Sequence, residues 1–187
     1  MALTYTPEPK LNSVCSDFQL LGVDGNTYSL QEFKIKNKAF NGILIMFICN
    51  HCPYVKAIED RLITLGHDLK KMDISVVGIC SNDPLGYPED SFENLKARWL
   101  EKKYSFIYLH DADQKVARDF GAVCTPDFFL FNSKLELYYR GRLDDSWKDS
   151  SQVTQQELLI AAKAMLSGKA PPEKQNPSMG CSIKWIK

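Results

Sequence analysis

The sequence predicts an α/β domain built around a parallel strand–helix–strand unit, and three observations carry that reading. Gly42 to Ile48 is an apolar run with almost no alternation, as expected of a strand covered on both faces. Beyond Pro53, apolar residues fall at Val55, Ile58, Leu62, Leu65 and Leu69, a 3-4-3-4 spacing that lines one face of a helix reaching about Lys71. Ile74 to Cys80 is again apolar and β-branched. A strand, a helix and a strand in that order form parallel neighbours joined by a right-handed crossover.

The remaining elements follow from local signals. Phe18 to Val23 and Thr27 to Leu30 alternate around Asp24-Gly25-Asn26, which predicts an N-terminal β-hairpin because glycine accepts a positive φ at the turn. Asp90 with Glu93 is expected to cap a second helix whose Phe92, Leu95 and Trp99 share a face, and Phe106 to Leu109 reads as a short strand. A helical turn from Gln114 to Phe120 stops at Gly121. Asp127 to Phe131 and Leu135 to Tyr139 flank Asn132-Ser133-Lys134 as a second hairpin. Thr154-Gln155-Gln156-Glu157 reads as a capping box opening a helix to about Leu166, with Gly168 as its stop. Residues 169–187 contain three prolines and no helical period, so an irregular C-terminal tail is expected on a single domain spanning 1–187.

Composition narrows the function classes. The 187 residues carry 23 basic and 23 acidic side chains, with 44% hydrophobic and 25% charged residues, ordinary values for a packed domain that buries roughly 70% of its unfolded surface. No like-charge block or basic stripe is present, so nucleic acid is not an expected partner. The first ten residues hold two prolines and two charges and lack the apolar core of a secretory signal. The longest apolar stretch, Ile43 to Cys49, falls short of the ~20 residues that span a bilayer, so neither membrane insertion nor export is expected and the protein reads as cytoplasmic. In a reducing compartment, six cysteines are expected to serve as buried thiols, metal ligands or redox centres rather than as a disulfide framework.

Cys49-Asn50-His51-Cys52 occupies the junction between the expected central strand and the long helix. Free backbone N–H groups at a helix start stabilise a thiolate, the species that attacks, and two cysteines three positions apart can close a disulfide. A thiol with a pKa near 8.5 is only ~3% ionised at pH 7, whereas one near 6.5 is roughly three-quarters ionised. That shift requires about 2.7 kcal/mol, while a helix terminus supplies about 0.3 to 1 kcal/mol. His51 is the expected source of the rest, as an imidazolium or a hydrogen-bond donor. The competing readings are inert buried cysteines beside a solvated His51, and a zinc site completed by Cys124 or Cys181.

The strand, the Cys-x-x-Cys, the long helix and the downstream Thr125-Pro126 resemble the thioredoxin superfamily. The segments Phe47-Ile48-Cys49-Asn50-His51-Cys52-Pro53-Tyr54-Val55-Lys56, Ser81-Asn82-Asp83-Pro84, Val123-Cys124-Thr125-Pro126-Asp127-Phe128-Phe129 and Gly180-Cys181-Ser182-Ile183-Lys184-Trp185 resemble its peroxiredoxin-like, or redoxin, branch. The resemblance covers nearly the whole chain. It implies a thioredoxin fold, with a central mixed sheet flanked by helices, and a cis bond before Pro126 facing the redox cysteines.

The resemblance also implies a thiol–disulfide oxidoreductase. In that reading Cys49 is the nucleophile, because the branch retains the cysteine at this position and the earlier position is expected to be the more accessible for attack, and Cys52 is the resolver. His51 supports the thiolate and Pro126 positions the partner. The expected partners are protein or small-molecule disulfides and a thiol reductant, with no organic cofactor and no resident metal. Peroxidase chemistry is the alternative, but the peroxiredoxin pattern Pro-x-x-x-Thr-x-x-Cys, aligned on Cys52, meets Ile45 and Cys49 in place of its Pro and Thr. A redox-sensing or metal-holding interaction module is the non-enzymatic alternative. Cys124 and Cys181 are candidate resolving or auxiliary thiols, while Cys15 and Cys80 read as structural. Arg142, Asp144 and Asp145 form a charged loop expected on the solvated surface, with a substrate groove as the alternative.

Overall fold

The computed structural model describes residues 3–36 and 39–186. The elements run β1 (Leu3–Tyr5), β2 (Gln19–Gly22), β3 (Thr27–Ser29), α1 (Leu30–Lys36), β4 (Gly42–Phe47), α2 (Pro53–Lys70), β5 (Ile74–Cys80), α3 (Phe92–Lys102), β6 (Ile107–His110), α4 (Lys115–Phe120), β7 (Cys124–Thr125), β8 (Asp127–Asn132), β9 (Leu137–Tyr139), α5 (Glu157–Leu166) and β10 (Met179–Ser182). Seven strands form one mixed sheet in the order β3-β2-β6-β5-β4-β8-β9. As the sequence predicts, β4 and β5 are parallel neighbours joined through α2. The N-terminal hairpin of β2 and β3 extends the far edge, turning at Gly25 with φ of 91°.

β4 lies between β5 and β8, and all six of its residues are buried. Its side chains alternate between two cores. Leu44 and Met46 join Ile58, Leu62 and Leu158 beneath α2 and α5, while Ile43, Ile45 and Phe47 pack with Phe18, Leu30 and Val116 on the opposite face. Each fully buried aliphatic side chain contributes about 1.5 to 3 kcal/mol, which fixes the end of β4 and the start of α2 relative to one another. A second hold on α2 is Glu59, which is buried and accepts hydrogen bonds from Arg98 at 2.8 and 2.6 Å and from the Tyr104 hydroxyl at 2.6 Å.

Three local expectations need correction. The tail is not irregular throughout: β10 forms the middle of a separate antiparallel sheet, β1-β10-β7. Its four residues, Met-Gly-Cys-Ser, carry no alternating pattern, and their partners lie far away in sequence, so periodicity could not reveal them. The helix expected from Asp90 is capped instead by Ser91, whose side chain accepts from the Asn94 N–H, because Asp90 is turned into the interior. Thr154 does not cap α5. Its hydroxyl and N–H bond to Asp145, and the helix begins three residues later at Glu157.

β7 belongs to the small sheet and β8 to the large one, with Pro126 as the residue between them. The Thr125–Pro126 bond is cis, as the resemblance implies. Beyond the corner, Asp127 and Arg140 form a buried ion pair at 2.9 Å, and Arg140 also donates to the Gly121 carbonyl at 2.8 Å.

Candidate active site

Cys49 and Cys52 occupy the short link between β4 and α2. Cys52 is the N-cap of α2, and Pro53 follows at the first helical position, where its missing N–H costs nothing. Both sulfurs rest on one residue of the cis-proline corner. Cys49 Sγ lies 3.2 Å from Thr125 Oγ1, and Cys52 Sγ donates to the Thr125 carbonyl at 3.1 Å. Cys49 is 1% and Cys52 0% exposed, so accessibility does not distinguish them, although the sequence reading favoured Cys49 as the more accessible.

His51 is neither solvated nor unsupported. Its Nδ1 lies 2.5 Å from Asp90 Oδ2, its ring stacks on Tyr87 at 4.5 Å between centroids, and its Nε2 is buried with no hydrogen-bond partner among the described residues. Asp90 also accepts from Asn82 Nδ2 at 2.8 Å and from the backbone N–H groups of Asn50 at 2.7 Å and His51 at 3.3 Å. Because an ionised carboxylate only accepts, Nδ1 carries the proton in this pair and Nε2 is left as the basic position. Burial opposes ionisation of Asp90, but the hydrogen bonds from His51 and Asn82 outweigh it and hold the carboxyl below its usual range. Asp90 is the site residue that sequence reasoning missed. Its place before Ser91 in a helix-start pattern suggested a cap, and nothing local linked it to His51, 39 residues away.

A ring nitrogen of His51, an Asp90 oxygen and Cys49 Sγ lie within 4.8 Å of one another. A thiol, an imidazole and a carboxylate gathered in one buried group are the side-chain types that a nucleophile, a base and an orienting residue require. The group is a weak cation site, because Asp90 already accepts four hydrogen bonds and a tetrahedral metal needs four ligands with lone pairs to give.

The charge distribution across the two thiols differs from the expectation that His51 and the helix start make Cys49 acidic. Burial, a hydrogen bond to Cys52 and the negative charge of Asp90 push the Cys49 thiol well above the ordinary range. Cys52 is held low by the hydrogen bond from Cys49, against the penalty of burial and with further donation from the Cys181 thiol and backbone N–H. Of the two thiols Cys52 is therefore the more readily ionised, giving up the proton that it otherwise donates to the Thr125 carbonyl.

The other cysteines divide in two. Cys181 lies in β10 opposite Thr125, is 2% exposed and shares a buried cluster with Cys49 and Cys52, a placement inconsistent with an irregular tail. Cys124 is buried on β7 opposite Ser182, and its thiol donates to the Pro126 carbonyl at 3.6 Å. Cys15 and Cys80 are buried in the two cores, as expected of structural thiols. The charged loop does border a groove: Arg142, Asp144 and Asp145 line a cavity of about 300 Å³ with Pro126, Tyr54 and Trp147. Asp144 is buried and paired with Arg61 rather than solvated.

Residues 11–140 match the AhpC/TSA family. The chain belongs to that family. AhpC/TSA membership supports a thiol redox function and an oxidoreductase activity. An uncharacterized conserved protein from Geobacillus kaustophilus is 42% identical, covering 100% of this chain and 97% of the other with a TM-score of 0.92. A hypothetical protein from Sinorhizobium meliloti 1021 is 37% identical, covering 98% of each chain with a TM-score of 0.90. A peroxidoxin from Mycobacterium tuberculosis shares the fold at 16% identity, with 86% and 98% coverage and a TM-score of 0.61. No curated protein matches in sequence. Together with the mixed sheet flanked by helices, these relatives make this AhpC/TSA chain a thioredoxin-fold protein. Among its described residues, no helix is long and apolar enough to cross a membrane.

Proposed function

We propose that this protein is a thiol–disulfide oxidoreductase working through Cys49 and Cys52. The observation that carries the proposal is the meeting of both thiols on Thr125, before cis-Pro126, with the His51–Asp90 pair beside Cys49. Cys49 gives its proton to His51 Nε2 and attacks one sulfur of a substrate disulfide. The substrate S–S bond breaks, and its leaving thiolate takes the proton from the imidazolium. Cys52, the more readily ionised of the two, then attacks the Cys49 sulfur of the mixed disulfide as a thiolate, forming the Cys49–Cys52 bond and releasing the second substrate thiolate. The substrate gains two electrons, and a thiol reductant restores the pair by the reverse sequence.

The roles fit the charge distribution. A resolving thiolate that is stabilised in advance keeps the mixed disulfide short-lived, while Cys49, held protonated by burial, needs the base that stands next to it. Asp90 fixes the ring so that Nε2 is the position that exchanges protons. The cavity bordered by Pro126, Tyr54 and Trp147 is where the rest of a disulfide substrate lies, and the cis-proline backbone offers it extended pairing. Because both sulfurs are buried, local opening precedes exchange with a protein disulfide, and small disulfides react first. Free thiols at all six cysteines suit a reducing, cytoplasmic compartment. Peroxidase chemistry has less support, since Ile45 and Cys49 stand where the peroxiredoxin pattern has its proline and its threonine.

Mixing the reduced protein with glutathione disulfide and with a disulfide-bonded peptide tests this reading. Turnover coupled to a thiol reductant, sharply slowed in Cys49→Ser, is expected. Turnover undiminished in Cys49→Ser, or consumption of peroxide but of neither disulfide, overturns it.

A further inference from the structure

Cys52 has sulfur on two sides. Cys49 interacts with it from the loop, and Cys181, in the same buried cluster, interacts with it from β10. The strand register makes that second interaction a built feature. Cys181 is the residue opposite Thr125, and Thr125 is the residue on which both Cys49 and Cys52 rest. Gly180 permits the approach, because a Cβ there would fall 1.9 Å from the Thr125 carbonyl oxygen. β10 is also tethered at both ends. Ser178 Oγ donates to the Pro126 carbonyl at 2.8 Å, and beyond the strand the Lys184 N–H donates to Asn82 Oδ1 at 2.8 Å and the Ile186 N–H to Gln114 Oε1 at 2.8 Å. The chain thus returns more than a hundred residues later to hold one thiol against the hub of the redox pair.

We propose that Cys181 is a third redox thiol, which attacks the Cys52 sulfur of the oxidised pair to form a Cys52–Cys181 disulfide and release Cys49. This rests on the reading of Cys49 and Cys52 as the redox pair and extends it. The exchange is balanced: the Cys49–Cys52 bond breaks, the Cys52–Cys181 bond forms, and the proton of Cys181 passes to the departing Cys49 sulfur. No electron is gained or lost, so no further oxidant is needed. Reaching the ~2.05 Å of a bond requires side-chain rotation at the two cysteines.

Oxidation of Cys52 itself enables the step. In the reduced site, burial and then the hydrogen bond to and charge of Cys52 hold the proton on Cys181, while Lys184 favours its loss. A disulfide at Cys52 carries no charge, so those contributions from Cys52 vanish and the cation remains. The outcome is an oxidised protein in which Cys49 is again a free thiol beside His51, with the oxidising equivalent stored on the inner side of the site.

The test is to oxidise the full-length protein with glutathione disulfide, quench in acid, alkylate the free thiols and map the linked peptides by mass spectrometry. Two linkages, Cys49–Cys52 and Cys52–Cys181, are expected in the wild type. Cys49→Ser should still form Cys52–Cys181, and Cys181→Ser should form Cys49–Cys52 alone. If Cys181 is alkylated in every oxidised wild-type molecule and Cys49→Ser forms no internal disulfide, the relay is wrong while the redox pair stands. If Cys181→Ser also forms no Cys49–Cys52 linkage and neither linkage appears in the wild type, the redox pair itself is wrong and the relay falls with it.

Discussion

Asp90 Oδ2 sits 2.5 Å from His51 Nδ1, so a carboxylate from the turn before α3 sets the tautomer of a histidine placed between Cys49 and Cys52. An amide at position 90 cannot accept at all four of the hydrogen bonds that Asp90 now receives. Asp90→Asn is therefore expected to slow disulfide exchange on the order of 100-fold, within the range of lost general acid–base catalysis. The rate–pH profile should change in shape as well as in height, and Asp90→Glu should restore part of the rate. A uniform drop with an unchanged profile, matched by lost thermal stability, would mean that Asp90 is only structural.

Removing the resolver should expose the attacking thiol. Cys52→Ser incubated with a disulfide-bonded peptide is expected to accumulate mixed disulfides on Cys49, read as mass adducts on the tryptic fragment that contains it. Adducts confined to Cys181 would reverse the assignment.

Much of this was written in the sequence at the level of elements. The apolar spacing of α2 and the unbroken run of β4 place Cys49 and Cys52 at a strand–helix junction before any coordinates are seen. What could not be read is what depends on distant partners. β10 has four residues and no pattern, and its strand character comes from pairing with residues 3–5 and 124–125. Asp90 looked like a cap because Ser91, the actual cap, is its neighbour, and its true partner becomes visible only when β4 and the turn before α3 are brought together. The charge order of the thiols was hidden for the same reason, since it comes first from the burial of Cys49 and the hydrogen bond between the two thiols, with Asp90 and Cys181 adding to it.

The buried thiols give the protein a specific alkaline weakness. Burial raises Cys15 and Cys181 to about 12 and shifts Cys49, Cys80 and Cys124 upward as well. The unfolded chain loses these protons near pH 8.5 while the folded chain keeps them, so the folded state binds more protons and its stability falls as pH rises above that point. Each such group contributes a slope of about 1.4 kcal/mol per pH unit. Urea titrations of the reduced protein should show steep loss between pH 8.5 and about 10. A flat stability over that window would contradict the burial of these thiols.

The cis-proline corner is braced by the Asp127–Arg140 pair, whose side chains are 0% and 8% exposed. Arg140→Leu strands a buried carboxylate and is expected to cost about 3 to 5 kcal/mol in denaturant unfolding. Adding Asp127→Asn should recover part of that loss. A cost below about 1 kcal/mol would place the pair among exposed ion pairs that contribute little.

Thiol mapping across a series of glutathione redox buffers addresses the chemistry most directly. At each poise the protein is quenched, alkylated and digested, and the fraction of Cys49 and Cys52 in linked peptides is measured. A reversible transition that consumes two thiols per molecule, with Cys52 in every internal linkage, is the predicted result. Cysteines 49 and 52 that remain alkylatable at every poise would leave the fold standing and remove its proposed chemistry.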